Sequence, residues 1–437
     1  MAAATPDRTL SGTSWRRVAF AMFAVGWGAN QFSPILIVYR HELALSAGVL
    51  AGLFGVYAAT LIPGLLIGGP VSDRIGRRPV VLPFVVLSPV ATLLFVAGPR
   101  SLAVIAAGRA LAGLCSGVVF GSATAWVQEL SDDPAVSARR SAVALSAGFG
   151  LGPAVASVLA QWAGDPLVLP YLPHVVLGVV AVTVVWRAPE TGVARSAAGR
   201  PGAPATWPGW PPRALRSRRF WLAVAPAAPW VFGSATLAFV VLPQEVTSAR
   251  SLSVGFAGLA TAMTIAGGLA AQPLARRLEA RQRLAANIAG LGCAVAASLL
   301  AVGAVAASSP VIAIACAVLY GLAYGFCLVS GLRESERLAS PREHGAVVAC
   351  FYVLTYVGFA GAYLVDGLDV LVGRTGAFVV LAVAGAVTAA WTAAYTTGSR
   401  AGDRARVPGV PAGPPDPAAR PGSPGPSGPA GRSASPR

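Results

Sequence analysis

Long apolar runs recur along this chain, parted by short gaps rich in arginine, and that alternation leaves one class of fold open. A helix needs about 20 apolar residues to cross a hydrocarbon layer. In such a layer only a helix or a closed barrel can satisfy its own backbone. Runs of that length fall near residues 18–39, 47–69, 80–98, 101–127, 141–161, 171–187, 219–242, 253–273, 284–306, 309–331, 345–365 and 376–397. The shortest, 171–187, opens on Pro170-Tyr171-Leu172-Pro173-His174. Composition agrees: only 11% of the 437 residues are charged, against about 25% in soluble domains. The chain reads as an all-α membrane protein of twelve transmembrane helices.

Arginine placement sets the expected orientation. The basic residues are all arginine, with no lysine anywhere, and the formal net charge is +16. With the N-terminus placed inside, the inner gaps hold Arg16 and Arg17, Arg74, Arg77 and Arg78, Arg139 and Arg140, a central group from Arg187 to Arg219, and then Arg276 to Arg283 and Arg333 to Arg342. The outer gaps hold only Arg40, Arg100, Arg250 and Arg374. Such asymmetry orients membrane proteins, so both termini are expected in the cytoplasm. Because the charge lies in loops and a tail, with no basic face on a folded domain, nucleic acid is excluded as a partner. The all-arginine set and the wealth of Ala, Gly, Pro and Val suit a GC-rich bacterial genome, and hence a bacterial cytoplasmic membrane.

Several activities are excluded as well. A phosphate-binding loop of G-x-x-x-x-G-K-[ST] type needs lysine, so this is no ATP-driven pump by itself. No loop is large enough to carry a Ser-His-Asp set or a carboxylate pair, so no enzyme is expected. Five cysteines lie inside apolar runs with no metal-binding spacing and read as small buried hydrophobes. No cofactor or metal is implied.

Expected domains are a cytoplasmic N-terminus (1–17), a first six-helix bundle (18–187), a Pro- and Arg-rich cytoplasmic linker (188–218), a second bundle (219–397) and a disordered tail (398–437). An internal repeat supports the halves. Ala275-Arg276-Arg277 stands where Asp73 and its arginines would recur 202 residues on, with the aspartate and glycine lost. Glu336 with Pro341 repeats Glu129 with Pro134 at 207 residues.

The most specific motif closes the second run: Gly69, Asp73, Arg74, Gly76, Arg77 and Arg78, in the order G-x-x-x-D-R-x-G-R-R. It resembles the loop between the second and third helices of the major facilitator superfamily. Arg109, Gly113 and Gly117 resemble that family's fourth-helix motif, with Ala112 in place of its usual glutamine. Gly148, Gly152 and Pro153 resemble its antiporter motif in part. The resemblance covers about 15–397 and implies two pseudo-symmetric six-helix bundles around a midplane cavity. It implies a monomeric secondary transporter of a small organic solute, of the kind of the drug efflux permeases that exchange protons. The Asp73–Arg77 loop would then latch the cytoplasmic face with Glu129, and Arg109 would couple or gate. An importer of the same fold and a non-transporting sensor remain alternatives.

Residue by residue, the physical readings stay paired. An arginine inside a span costs about 2.5–3.5 kcal/mol on insertion scales and faces a cavity or a partner unless it snorkels; Arg109 is some eight residues from a span end. Gly148, Gly152 and Pro153 serve helix packing as readily as antiport. Asn30 and Gln31 either bond across to a neighbouring helix or floor the cavity, and lining is preferred. Tyr57, Trp126, Trp230, Tyr324 and Tyr356 are further cavity candidates. No carboxylate stands at mid-membrane, so no proton carrier is evident. His174 reads as structural, at an outer end.

Overall fold

The structure is a computed structural model that describes residues 13–191, 213–246, 253–339 and 344–405. Helices α1 to α6 run Trp15–Glu42, Gly48–Ile75, Arg77–Ala97, Leu102–Glu129, Arg139–Trp162 and Leu169–Trp186. Helices α7 to α10 run Phe220–Val246, Val254–Arg281, Ala285–Ala306 and Pro310–Leu338. The last apolar helix, Cys350–Thr396, is 47 residues long, more than twice the about 20 residues a bilayer needs. Gly373, at φ 74° and ψ 165°, breaks it, a backbone conformation that glycine adopts without steric penalty. It therefore counts as two spans, α11 (350–372) and α12 (374–396), giving twelve among the described residues.

The described residues from 13 to 396 belong to one compact unit. In the first half α2 packs along α4, α3 along α4 and α1 along α5; in the second α8 and α9 pack along α10. The halves meet chiefly where α5 lies on α8. Large apolar side chains such as Val176, Leu299 and Val387 are more than half exposed on the outside, a surface that lipid rather than water would cover. Trp162 and Trp186, near helix ends, are likewise exposed, as interfacial tryptophans are.

Two helices carry breaks. Helix α1 is interrupted at Gln31, between helical stretches ending at Asn30 and starting at Phe32. Pro34 has no N–H to offer the Asn30 carbonyl, which weakens the helix at this turn. Helix α7 contains π-helical turns at Phe220–Val224 and Leu237–Val241.

Some expected boundaries change. Residues 213–216 form a helical turn inside the stretch read as a linker, of which 192–212 lie outside the described residues. Helix continues to Ala405, past the expected start of a tail at 398, and 406–437 lie outside the described residues. The N-terminal stretch is helical from Trp15, three residues earlier than expected.

Candidate functional site

At one face of the bundle, the motif face, α2 ends and α3 begins across Gly76, whose φ of 105° suits only glycine readily. This reversal turns Arg77 inward, where it is 5% exposed. Its guanidinium donates to Glu129 at the end of α4 in fork geometry, Nε to Oε2 at 3.2 Å and Nη2 to Oε1 at 2.7 Å. It also donates to Ser72 Oγ at 2.6 Å and pairs with Asp73 at 2.6 Å. The Glu129 carboxylate is 6% exposed and that of Asp73 is 62% exposed, so Glu129 is the buried partner and Asp73 the wet one.

Glu190 was missing from the sequence reading. Its two carboxylate oxygens accept the backbone N–H groups of Arg77 and Arg78, at 2.7 and 2.8 Å. These are free donors of the first turn of α3, where a negative charge is favoured. Thr191 donates to Glu129, and Trp126 Nε1 donates to the Pro189 carbonyl at 2.9 Å. Residues 189–191 are thus strapped to the motif loop. The Pro-Glu-Thr string was the available signal: an acid just past α6, in a stretch otherwise taken as spacer. Trp126 is corrected here; it is fully buried and holds this strap, with its indole N–H spent on Pro189.

The second half repeats the network in altered residues. Arg283 forks onto Glu334, its Nε 2.7 Å from Oε2. Glu279 accepts from Ser330 at 2.6 Å and from the backbone N–H groups of Leu284 and Ala286 that open α9. Arg283 and Glu279 stand 206 residues after Arg77 and Asp73. The 202-residue alignment through Ala275 is therefore corrected: the acid is not lost but has become Glu279. The motif glycines also need adjustment. A Cβ on Gly69 would meet nothing, while Gly68 lies against the backbone of Val118. Gly113 and Gly117 bring α4 so close to α2 that a Cβ on either would overlap the Tyr57 or Leu61 carbonyl. Gly321 and Gly325 do the same for α10 on α8, against Thr264 and Gly268.

Inside the first half, Arg109 is 1% exposed. No carboxylate pairs with it in the contacts of the described residues. It donates through Nε to the Leu53 carbonyl at 3.2 Å and through Nη1 to the Ala29 carbonyl at 3.4 Å, beside the α1 break. The rings of Phe32, Tyr57 and Phe54 surround the guanidinium, with centroids 4.4, 4.4 and 5.1 Å from Cζ. Such faces stabilise a desolvated cation by about 2 kcal/mol.

Asn30 and Gln31 are corrected from cavity floor to interhelical bonds. Pro153 lacks the N–H that the Phe149 carbonyl would accept in a regular helix, and Asn30 Nδ2 fills the vacancy at 2.7 Å. Asn30 Oδ1 accepts from Ser33 Oγ at 2.7 Å. Gly148 and Gly152 make this possible by letting α5 lie against the α1 backbone at Phe23 and Trp27. Gln31, fully buried, donates to Thr92 Oγ1 on α3 at 3.1 Å.

The remaining aromatic candidates belong to the second half. Tyr356 stacks on Phe232 at 4.7 Å, and Phe232 meets Tyr324 at 5.9 Å and Phe359 at 5.0 Å. Phe359 in turn meets Phe54 of α2 at 5.7 Å, so rings from both halves lead to Arg109. Phe54, Phe232 and Phe359 were not singled out from the sequence, since phenylalanines in a span carry no polar mark. Trp230 packs on the same apolar cluster as Phe232 and Tyr324, with its ring also against Gly385 of α12.

At the opposite face the halves are tied. Arg40 donates to Gln244 at 2.6 Å, Tyr363 to the Gly48 carbonyl at 3.2 Å, and Gly255 N–H to Gln161 at 3.1 Å. Arg374 gathers Glu245, Asp366 and Asp369 at 3.2, 2.9 and 3.3 Å. A cleft between them is lined by Arg40, Phe54, Gln244, Glu245, Phe359 and Arg374.

Comparison with known proteins matches this arrangement. The chain is 24% identical over 144 residues to the quinolone resistance protein NorA of Staphylococcus aureus, 32% of this chain and 37% of that one. It is 35% identical over 98 residues to multidrug resistance protein D of Escherichia coli, 22% of this chain and 25% of that one. The chain thus matches about a third and a quarter of these relatives' lengths. Among solved structures, the nucleoside transporter NupG superposes with a TM-score of 0.68 at 12% identity, covering 89% of this chain and 99% of NupG; a D323A mutant of it superposes at 0.70 and 13%. A family model described as Major Facilitator Superfamily matches residues 18–360. Twelve spans, a motif loop that recurs in altered form in each half, and a match over most of the length make the chain a member of the Major Facilitator Superfamily.

Proposed function

We propose that this chain exports a small organic solute from the bacterial cytoplasm by alternating access, in exchange for protons, with the motif face and both termini inside and the monomer as the working unit. The observation that carries the reading is the centre: a buried cation, Arg109, ringed by aromatic faces that continue across the join between the halves. Such a surface offers stacking and apolar contact to a planar solute, and the cation stands in reach of the broken helix α1. The ties at the opposite face support a conformation that is closed outside. The motif-face clamps of Arg77–Glu129 and Arg283–Glu334 each act within one half, so each half moves as a unit against the other. Export is favoured over import by the drug-resistance names of the sequence relatives. The likeness to the nucleoside transporter bears on fold alone.

Proteoliposomes test the reading. A fluorescent quinolone should accumulate against its gradient when a pH gradient is imposed, and collapse of that gradient should abolish accumulation. Equal uptake into liposomes with and without the protein, at either polarity, would rule out export of this class.

A further inference from the structure

His174 stands near the start of α6 and is 1% exposed, buried against α1 and α3. Helix α1 comes so near that a Cβ on Gly28 would overlap the imidazole. Its Nδ1 lies 2.7 Å from Thr92 Oγ1, and its Nε2 lies 3.4 Å from Ser88 Oγ. Thr92 Oγ1 is also the acceptor for Gln31 Nε2, at the α1 break. With Gln31 donating to it, Thr92 points its own proton at Nδ1, and Nε2 carries the ring proton. The imidazole is neutral in this arrangement. The other end of the amide, Gln31 Oε1, is buried and has no partner.

We infer that His174 is a proton-binding site whose charge is sensed at the α1 break through Thr92 and Gln31, and that on the exchange reading above it carries the exchanged proton. A proton taken from water onto Nδ1 makes both ring nitrogens donors. Thr92 must then accept from the ring and turn its own proton away. Gln31 can meet it by rotating its amide and presenting the oxygen that now lacks a partner. A primary amide is suited to this place because it offers a donor at one end and an acceptor at the other. The chain of bonds therefore reverses instead of breaking.

Among the described residues no acid pairs with the ring to offset the new charge. Ser88 and Thr92 face the ring from α3, and the Gln31 amide and the α1 backbone face it from α1. Tyr171, on its own element, is bonded to Tyr39 of α1 at 2.9 Å. The charge sharing this interior is Arg109, stacked on Phe32, which packs against Phe95 and Tyr39. Two cations flanking the α1 break in a dry bundle repel each other. Protonation thus favours a conformation in which the break moves or water enters, which is how ligand binding shifts a two-state equilibrium.

Two measurements test the site. The chain has three histidines, so His41→Gln with His344→Gln leaves His174 as the sole imidazole. With histidine labelled by carbon-13 and nitrogen-15, the full chain in lipid nanodiscs should show a ring signal that gains a proton as the pH is lowered from about 8 to about 4. Adding Arg109→Gln should move its midpoint to higher pH. In proteoliposomes, His174→Gln and His174→Asn should each lose at least tenfold of quinolone accumulation driven by a pH gradient. An imidazole that stays neutral across the range, or variants driven by the gradient as well as the wild type, would overturn the site. A wild-type chain that moves no quinolone would sink only the export reading, because the ring titration decides His174 by itself.

Discussion

Arg109 and Asn30 both place polar groups where lipid and packed helices offer few partners, and both are satisfied by backbone carbonyls. Arg109 reaches the Ala29 carbonyl beside Gln31; Asn30 reaches the Phe149 carbonyl that Pro153 leaves free. Replacing Asn30 with Leu should leave that carbonyl unpaired at a cost of about 1–3 kcal/mol, seen as a lower melting temperature in detergent. Arg109→Lys keeps the charge but loses the planar fork that meets two carbonyls at once, so proteoliposome flux should fall at least tenfold. Arg109→Ala should fall as far. At the motif loop, Glu129→Gln should impair flux and melting temperature far more than Asp73→Asn. The reason is exposure: an exposed pair contributes about 0–1 kcal/mol, whereas breaking a buried pair costs about 3–5 kcal/mol.

Among the elements, the decisive contacts are glycine faces. Helix α4 lies on α2 through Gly113 and Gly117, and α10 lies on α8 through Gly321 and Gly325. Van der Waals packing drives such association in lipid, since burial there has no water to escape. Gly113→Ala would drive a methyl group into Tyr57 and Thr60 and should lower the yield of folded protein, read by size-exclusion chromatography in detergent. Gly69→Ala, with open space at its Cβ, should leave the same profile unchanged. A resemblance to a motif marks both glycines alike; only the neighbours separate them. The same holds for Glu190, whose value depends on the free N–H groups of α3 that lie beside it in space and more than a hundred residues away in sequence.

For the whole molecule, the tie between Arg40 and Gln244 joins the two halves across the opposite face. If alternating access requires this face to part, a disulfide between Arg40→Cys and Gln244→Cys should arrest flux, and reduction should restore it. Flux that persists in the oxidised protein would show that the halves need not separate there. Twelve spans, their division into halves and the motif-face placement of Arg77 and Glu129 follow from the order of residues alone. A bilayer tests each segment for apolar length by itself, and loop arginines are sorted by the charge asymmetry of the whole chain, so neither needs knowledge of neighbours. Which polar groups pair was a different matter. Asn30 could have faced a cavity until Pro153 was placed beside it; Trp126 could have lined one until Pro189 occupied it. Buried hydrogen bonds and ring contacts act over a few ångströms, between residues brought together only by packing, and that is why the tertiary structure alone decided them.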